Sequence, residues 1–143
     1  MKTKDLRLGN FIKLSKNNTV FIVDFFDEIG IGVHNDKKKT WIETDLFEPI
    51  ELTKEWLLKF EFEYNENKKI YTKNIGIYIN HTRKICVNID NGFNYVSLIE
   101  LINTELPKYH TDHTNIFDND WYGHKLYVHT LQNIYFILTE KEL

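Results

Sequence analysis

The chain has 143 residues, of which 42% are hydrophobic and 15% aromatic, so it is long enough for one domain or two very small ones. With 27% charged residues, this composition is typical of a folded globular protein and excludes a disordered one. The net charge of −3 is spread evenly, since residues 1–52 carry eight Lys or Arg and nine Asp or Glu. Neither half therefore offers the basic surface that binds nucleic acid through its phosphates.

The cysteine content and the hydropathy indicate the compartment. Cys86 is the single cysteine and forms no internal disulfide, which is typical of a compartment that keeps thiols reduced. The first residues contain no apolar segment of signal-peptide length, and no run approaches the roughly 20 apolar residues of a membrane-spanning helix. We therefore expect a soluble cytoplasmic protein with no membrane partner.

Short strands and turns fill the first third of the chain. β-Branched and aromatic residues favour strands at 11–14, 19–26, 30–34 and 40–43. The apolar run from Thr19 to Phe26 is continuous, which predicts burial of that strand on both faces. Lys37–Lys39 marks a solvated hairpin tip. Short strands joined by tight turns are typical of small barrels, so we expect an antiparallel, SH3-like β-roll over residues 1–52.

A short helix and a second group of strands follow. Thr53 places a capping hydroxyl before an apolar turn, which predicts a helix that starts there. From Phe62 to Ile89 the apolar residues recur with a period of two, which predicts an antiparallel meander of three or four strands. In this alternation Cys86 falls on the less apolar face, as a small packed side chain.

The last third predicts two helices separated by a loop. Residues 95–106 are compatible with a short strand or a helix, and their helical apolar stripe, which Pro107 would end, favours the helix. Residues 108–122 form a polar loop rich in His, Asp, Asn and Thr. An amphipathic helix is then predicted by apolar residues that recur at helical spacing, namely Tyr127, Leu131, Ile134, Tyr135 and Leu138. We expect this C-terminal helix to cover the meander, in an α+β protein with domains at residues 1–52 and 53–143.

Three segments of the sequence carry a resemblance to a known family. They are Leu6-Arg7-Leu8-Gly9-Asn10, residues 49–60 ending in Glu55-Trp56-Leu57-Leu58-Lys59-Phe60, and residues 128–143 beginning Val128-His129-Thr130-Leu131-Gln132-Asn133. In this order they resemble a family of small uncharacterised proteins from Bacteroidetes genomes, prophages and phages. The family pattern has Gly after the middle segment, where this chain has Glu61. The resemblance implies an accessory protein in a bacterial host cell and no particular activity, ligand or catalytic residue.

The residues between 110 and 129 are the candidates for a metal site. His and Asp at close spacing are ligands that a divalent transition metal prefers. The histidines concerned are His110, His113, His124 and His129, with Asp112, Asp118 and Asp120 among them. A metal-dependent enzyme using these residues is one hypothesis, and its alternative is an exposed polar loop without metal or cofactor.

The same loop is flanked by aromatic residues that are candidates for partner binding. Tyr109, Trp121 and Tyr122 stand beside polar side chains, a combination found at hot spots of protein interfaces. The alternative for Trp121 is that it anchors the loop onto the core.

The recognisable catalytic motifs are missing from the sequence. It contains no nucleophile elbow, phosphate-binding glycine loop, HExxH or CxxC, which favours a non-enzymatic protein over an enzyme. The leading hypothesis is a binding or accessory protein of a phage or mobile element that acts through a protein partner, with counter-defence as one form of that activity. The alternatives are the metal-dependent enzyme and a nucleic-acid-binding module that uses the β-roll.

Overall fold

The computed structural model of the chain describes residues 3–43, 45–78, 81–89, 95–102, 111–115 and 125–143. The chain divides into two compact units. Unit 1 comprises Met1–Glu51, Tyr127–Ile137 and Glu142–Leu143, and unit 2 comprises Leu52–Leu126 and Leu138–Lys141. Each unit contains one five-stranded antiparallel sheet, and a helix lies near the C-terminus, so the α+β prediction is confirmed.

Unit 1 begins with a 3₁₀ turn, Thr3–Asp5, followed by five short strands. The strands are β1 (Phe11–Leu14), β2 (Val20–Phe26), β3 (Gly30–Asn35), β4 (Lys38–Glu43) and β5 (Phe47–Glu48). They lie in the order β4-β3-β2-β1-β5, and every neighbouring pair is antiparallel. β3 and β4 form a hairpin in which Asn35 pairs with Lys38. The Lys-rich segment therefore lies at the tip of this hairpin, as predicted.

One face of this sheet forms the apolar core of unit 1. The core residues are Leu6, Ile12, Phe21, Val23, Ile31, Val33, Ile42 and Phe47. Within β2 only Phe21 and Val23 are buried, whereas Phe25 and Phe26 are exposed. The prediction that β2 is buried on both faces is therefore wrong. The apolar run continues past the residues that face the core, and its last part lies in solvent.

Unit 2 is a meander of five strands in chain order. The strands are β6 (Glu63–Asn65), β7 (Ile70–Tyr78), β8 (His81–Asn88), β9 (Tyr95–Ile102) and β10 (Thr111–Asn115). They are arranged β10-β9-β8-β7-β6, and each pairs antiparallel with the next. Two sequence predictions are corrected here. Residues 95–102 form a strand and not a helix, and residues 111–115 of the predicted loop form the edge strand β10.

The centre of this second sheet is buried on both faces. Ile85 and Val87 are buried on one side of β8, and Cys86 is equally buried on the other, where it packs with Ile70 and Ile99. The sequence pattern places Cys86 on the less apolar face of β8. In the structure this face is also buried at Cys86. Burial raises the pKa of the Cys86 thiol to about 11, so the thiolate is disfavoured in the folded chain.

The helix α1 (Lys54–Lys59) precedes the second sheet, and a left-handed residue follows its C-cap residue Phe60. Thr53 is its N-cap residue, as predicted, although the Thr53 hydroxyl makes no capping hydrogen bond. At the other end Glu61 has φ +60°, the Glu61 N–H donates to Leu58 O, and the Phe62 N–H donates to Leu57 O. This is a Schellman motif, whose left-handed position usually holds glycine. In this chain the left-handed position holds Glu61, and a residue with a Cβ is strained in that conformation.

The helix α2 (Val128–Thr139) confirms the predicted C-terminal amphipathic helix. Its buried residues are Val128, His129, Leu131, Gln132, Ile134 and Tyr135. The sequence predicted that this helix covers the meander. The structure instead assigns residues 127–137 to unit 1, where the Val128 N–H donates to Ile50 O at 2.9 Å.

Candidate functional site

The outer face of the unit 1 sheet carries large apolar side chains in solvent. Phe25 on β2 is 52% exposed and Trp41 on β4 is 37% exposed. Both are register partners of Gly32 on the intervening strand β3, so they share one face of the sheet. Ile29, in the adjoining turn between β2 and β3, is 69% exposed. We refer to Phe25, Ile29 and Trp41 together as the aromatic surface.

Two glycines of β3 form the floor beneath the two rings. A Cβ atom added at Gly32 would collide with the Phe25 ring, and one added at Gly30 would collide with the Trp41 ring. The rings therefore lie directly against the β3 backbone, and both glycines are buried beneath them. Glycine within a strand marks a close approach of this kind.

A β-bulge in β2 directs Phe25 to this outer face. Val23 pairs with Val33 and Phe25 pairs with Gly32, so Asp24 is the extra residue. Without the bulge, Phe25 would pair with Ile31 and face the core, because strand side chains alternate. Bulges commonly re-aim side chains in this way at functional positions. The exposure of Phe25 is thus built into the strand register.

A compact polar cluster borders the rings on the same face. His34 Nδ1 lies 2.5 Å from Asp24 Oδ1, and Lys39 Nζ lies 3.3 Å from Asp24 Oδ2. Partial burial opposes ionisation of the Asp24 carboxyl, but the hydrogen bonds from Lys39 and His34 outweigh it and lower its pKa. The positive charge of Lys39 is consequently paired within the surface.

Carboxylates without a cationic partner surround the opposite end of the aromatic surface. Asp27 and Glu28 lie in the turn beside Ile29, and Glu43 pairs across the hairpin with Gly30. All three are exposed, and none forms an ion pair with another described residue. One end of the aromatic surface is therefore acidic, and at the other end the charge of Lys39 is paired with that of Asp24.

The structure places the candidate metal ligands as follows. His110 and His124 lie outside the described residues. His113 is in β10 of unit 2, where its backbone pairs with Ile99. His129 is in α2 of unit 1 and is buried. Within the described ranges, no group of three or more His, Cys, Asp or Glu side chains is placed to hold a metal ion.

The predicted partner-binding residues Tyr109, Trp121 and Tyr122 also lie outside the described residues. The exposed aromatic residues described above belong instead to the first 43 residues. Sequence reasoning missed them because it assigned the Phe25 segment to the core. The signal that could have found them is Gly30-Ile31-Gly32, since two glycines at alternate positions of one strand leave space on one face.

His129 is an uncharged residue of the unit 1 interior. It is only 4% exposed, its ring stacks on Tyr127, and its Nδ1 atom has no hydrogen-bond partner. Burial lowers the pKa of His129 to about 4, although the Asp5 carboxylate acts in the opposite direction. A buried neutral imidazole of this kind contributes pH sensitivity to the stability of the fold.

The first and last segments of the family resemblance meet in unit 1. Gln132 accepts a hydrogen bond from the Phe11 N–H at 2.9 Å and donates to Gly9 O at 3.1 Å. Asn133 Oδ1 accepts from the buried Asn10 side chain at 3.0 Å. These side chains satisfy polar groups of residues 9–11 at the start of β1, so their role is structural.

A second set of contacts holds the same two segments together. The Arg7 guanidinium donates to both carboxylate oxygens of Glu142, at 2.6 and 2.8 Å, and lies over the Phe136 ring at 4.0 Å. Arg7 Nε also donates to Asn133 Oδ1. The hydrogen bonds from Arg7 lower the pKa of the Glu142 carboxyl. The arginine thereby fixes the chain end to the start of unit 1.

In the described part of the chain, neither helix is long and apolar enough to cross a membrane. No family model, curated protein or solved structure matches the chain.

Proposed function

We propose that this chain is a non-enzymatic binding protein that acts through a protein partner, which it contacts with the aromatic surface. The observation that carries the proposal is the placement of Phe25 and Trp41 in solvent on a glycine floor. Contiguous exposed apolar side chains mark interaction sites, and aromatic residues contribute most strongly to binding energy at interfaces. A bulge that exposes Phe25 is hard to explain by stability, because burial of a Phe side chain is worth about 1.5–3 kcal/mol.

The biological setting is proposed from the sequence resemblance. We propose an accessory protein of a phage or mobile element that acts in the cytoplasm of a bacterial host cell. Inhibition of a bacterial immune protein is one form that such an activity takes. The support comes from the segments at residues 6–10, 49–60 and 128–143.

We also propose that unit 1 is an SH3-like roll. The support is a sheet of five short antiparallel strands with a two-residue β3–β4 hairpin and a bulged β2. An experimental structure tests this proposal, since closure of the sheet between β4 and β5 into a roll would support it, and a flat open sheet would contradict it.

Affinity capture with surface variants tests the binding function. The wild-type chain and the double variant Phe25→Ser, Trp41→Ser are immobilised and exposed to lysate of Bacteroidetes cells. The matched control is Leu58→Ser, Ile137→Ser, which removes two other exposed apolar side chains. We expect a protein that is retained by the wild type and the control and lost by the Phe25 and Trp41 variant. Equal retention by all three chains, or retention by none, contradicts the proposal.

A further inference from the structure

We propose that the partner presents an arginine whose guanidinium stacks on the outer face of the Trp41 indole and pairs with the carboxylates of Glu28 and Glu43. This inference rests on the proposed function, because it specifies the chemistry of the partner at the same surface. The arginine approaches the face of the sheet from solvent and needs no hydrogen bond from an edge strand. The orientation of the indole, the charge around it and the cations elsewhere in the chain support the inference.

The indole of Trp41 lies with one face on the backbone of β3. A Cβ atom added at Gly30 would lie 2.3 Å from Cζ2 and 2.5 Å from Cε2, and this near-equal approach to two bonded ring atoms places the glycine beneath the ring. The opposite face of the indole points away from the sheet, and Trp41 is 37% exposed. The face of an aromatic ring carries the negative part of its quadrupole, and Trp binds cations best among the aromatic residues. The outer face of this indole therefore suits a cation.

Three exposed carboxylates surround the glycine on which the indole lies. Glu43 is the register partner of Gly30. The Asp27 N–H donates to Gly30 O at 3.0 Å, and Glu28 follows in the same turn. None of these three carboxylates forms an ion pair with a described Lys or Arg. A cation above the indole consequently gains from the ring and from the nearby negative charge, whereas an acidic side chain there is repelled.

An exposed aromatic ring elsewhere in the chain already carries a cation. Tyr64 on β6 is 41% exposed, and Lys54 Nζ lies over its ring, 5.8 Å from the centre. No described Lys or Arg lies over the Trp41 indole in this way. Lys39, whose side chain is on the same face of the sheet as Trp41, is paired with Asp24. The outer face of the indole is therefore left to a cation from another molecule.

Arginine fits this arrangement better than lysine. The guanidinium is planar, so it stacks flat on a ring while the N–H groups at its edge donate to carboxylates. It is also more weakly hydrated than an ammonium group, which lowers the cost of placing it against an apolar surface. The ammonium of lysine is a strongly hydrated point charge with no flat surface to stack.

Titration of the full chain with amino-acid probes tests the inference. The probe is N-acetylarginine methylamide, and its matched control is N-acetylcitrulline methylamide, a neutral compound of nearly the same shape. We expect the arginine probe to shift the NMR resonances of the Trp41 indole N–H and the Gly30 amide with millimolar affinity. The citrulline probe should bind about tenfold more weakly, and N-acetyllysine methylamide should bind less tightly than the arginine probe.

Variants of the carboxylates test the ion pairs. The double variant Glu28→Gln, Glu43→Gln should weaken binding of the arginine probe about fivefold, because two exposed ion pairs are lost. The matched control is Glu63→Gln, Glu66→Gln, which removes two exposed carboxylates of unit 2 and should leave the affinity unchanged.

Variants of the rings test the stacking. Trp41→Leu keeps an apolar side chain and removes the aromatic face, so it should weaken the arginine probe by at least about threefold. Tyr64→Leu, which removes a comparably exposed ring of unit 2, should leave the affinity unchanged.

Several results would overturn the inference. They are equal binding of the arginine and citrulline probes, a lysine probe that binds as tightly as the arginine probe, equal affinities in variants and controls, and no shift at the Trp41 and Gly30 resonances. Shifts of the same resonances with oligo-dT, or on raising the concentration of the chain alone, would overturn it in favour of nucleic acid or a second copy. Capture from lysate with the Phe25→Ser, Trp41→Ser variant decides separately on the proposed function. A protein whose retention depends on these two rings leaves that function intact, and the absence of such a protein overturns it.

Discussion

The stability of unit 1 should fall steeply in mildly acidic solution because of His129. The pKa of this residue is lowered from 6.5 to about 4 by burial, so the folded chain holds the imidazole neutral where the unfolded chain protonates it. Above pH 6.5 both states are neutral and the effect is absent. Between pH 6.5 and 4 the unfolded state binds the extra proton, so stability is lost as the pH falls.

The size of this loss follows from the pKa difference. A shift of this size corresponds to about 3 kcal/mol in total, of which about 2 kcal/mol is already lost at pH 5. An NMR titration of the His129 ring measures the pKa directly, and urea denaturation at pH 7.5 and pH 5 measures the free energy of unfolding. The variant His129→Met, which cannot be protonated, should lose at least that part of the pH dependence, whereas His34→Gln should retain it.

Two results would refute this reasoning. A His129 titration midpoint near 6.5 would show that the imidazole is accessible to protons in the folded chain. Equal losses of stability in the wild type and in His129→Met would show that other groups cause the acid sensitivity.

Three further predictions concern structural positions. Glu61→Gly should raise the free energy of unfolding by about 0.5–1 kcal/mol, because it relieves the left-handed backbone of the Schellman motif, and a lower denaturation midpoint would contradict this. Gln132→Leu should lower it by about 2–4 kcal/mol in urea denaturation, because the Phe11 N–H and the Gly9 C=O lose their partner, and a change below that of an exposed Ile137→Leu control would contradict this. Cys86 should react with a thiol reagent at pH 8 only after denaturation, and rapid labelling of the native chain would count against its burial.

The fold was predictable where one face of an element is buried. The apolar stripe of α2 has helical spacing, and it predicted the helix correctly. Residues 95–102 were misassigned because Val96, Ser97 and Ile99 are all buried in the structure. Burial on both faces removes the period of two that identifies a strand.

The aromatic surface depends on features that a sequence pattern does not display. The apolar run that ends in Phe25 and Phe26 has the composition of a core strand, and only the bulge at Asp24 turns Phe25 outwards. A bulge depends on how two strands pair, and that register is a property of the folded sheet. The structural roles of Asn10 and Gln132 likewise arise from contacts between distant parts of the chain.

Site-specific photo-crosslinking in a bacterial host cell tests the central claim most directly. A benzoylphenylalanine residue replaces Ile29 in the aromatic surface or, as the control, Ile137 on α2, whose side chains are 69% and 77% exposed. The account predicts a discrete crosslinked protein from position 29 that is absent from position 137 and disappears when Trp41→Ser is added. Crosslinks of equal yield from both positions, or none from position 29, would contradict the claim that this surface binds a protein partner.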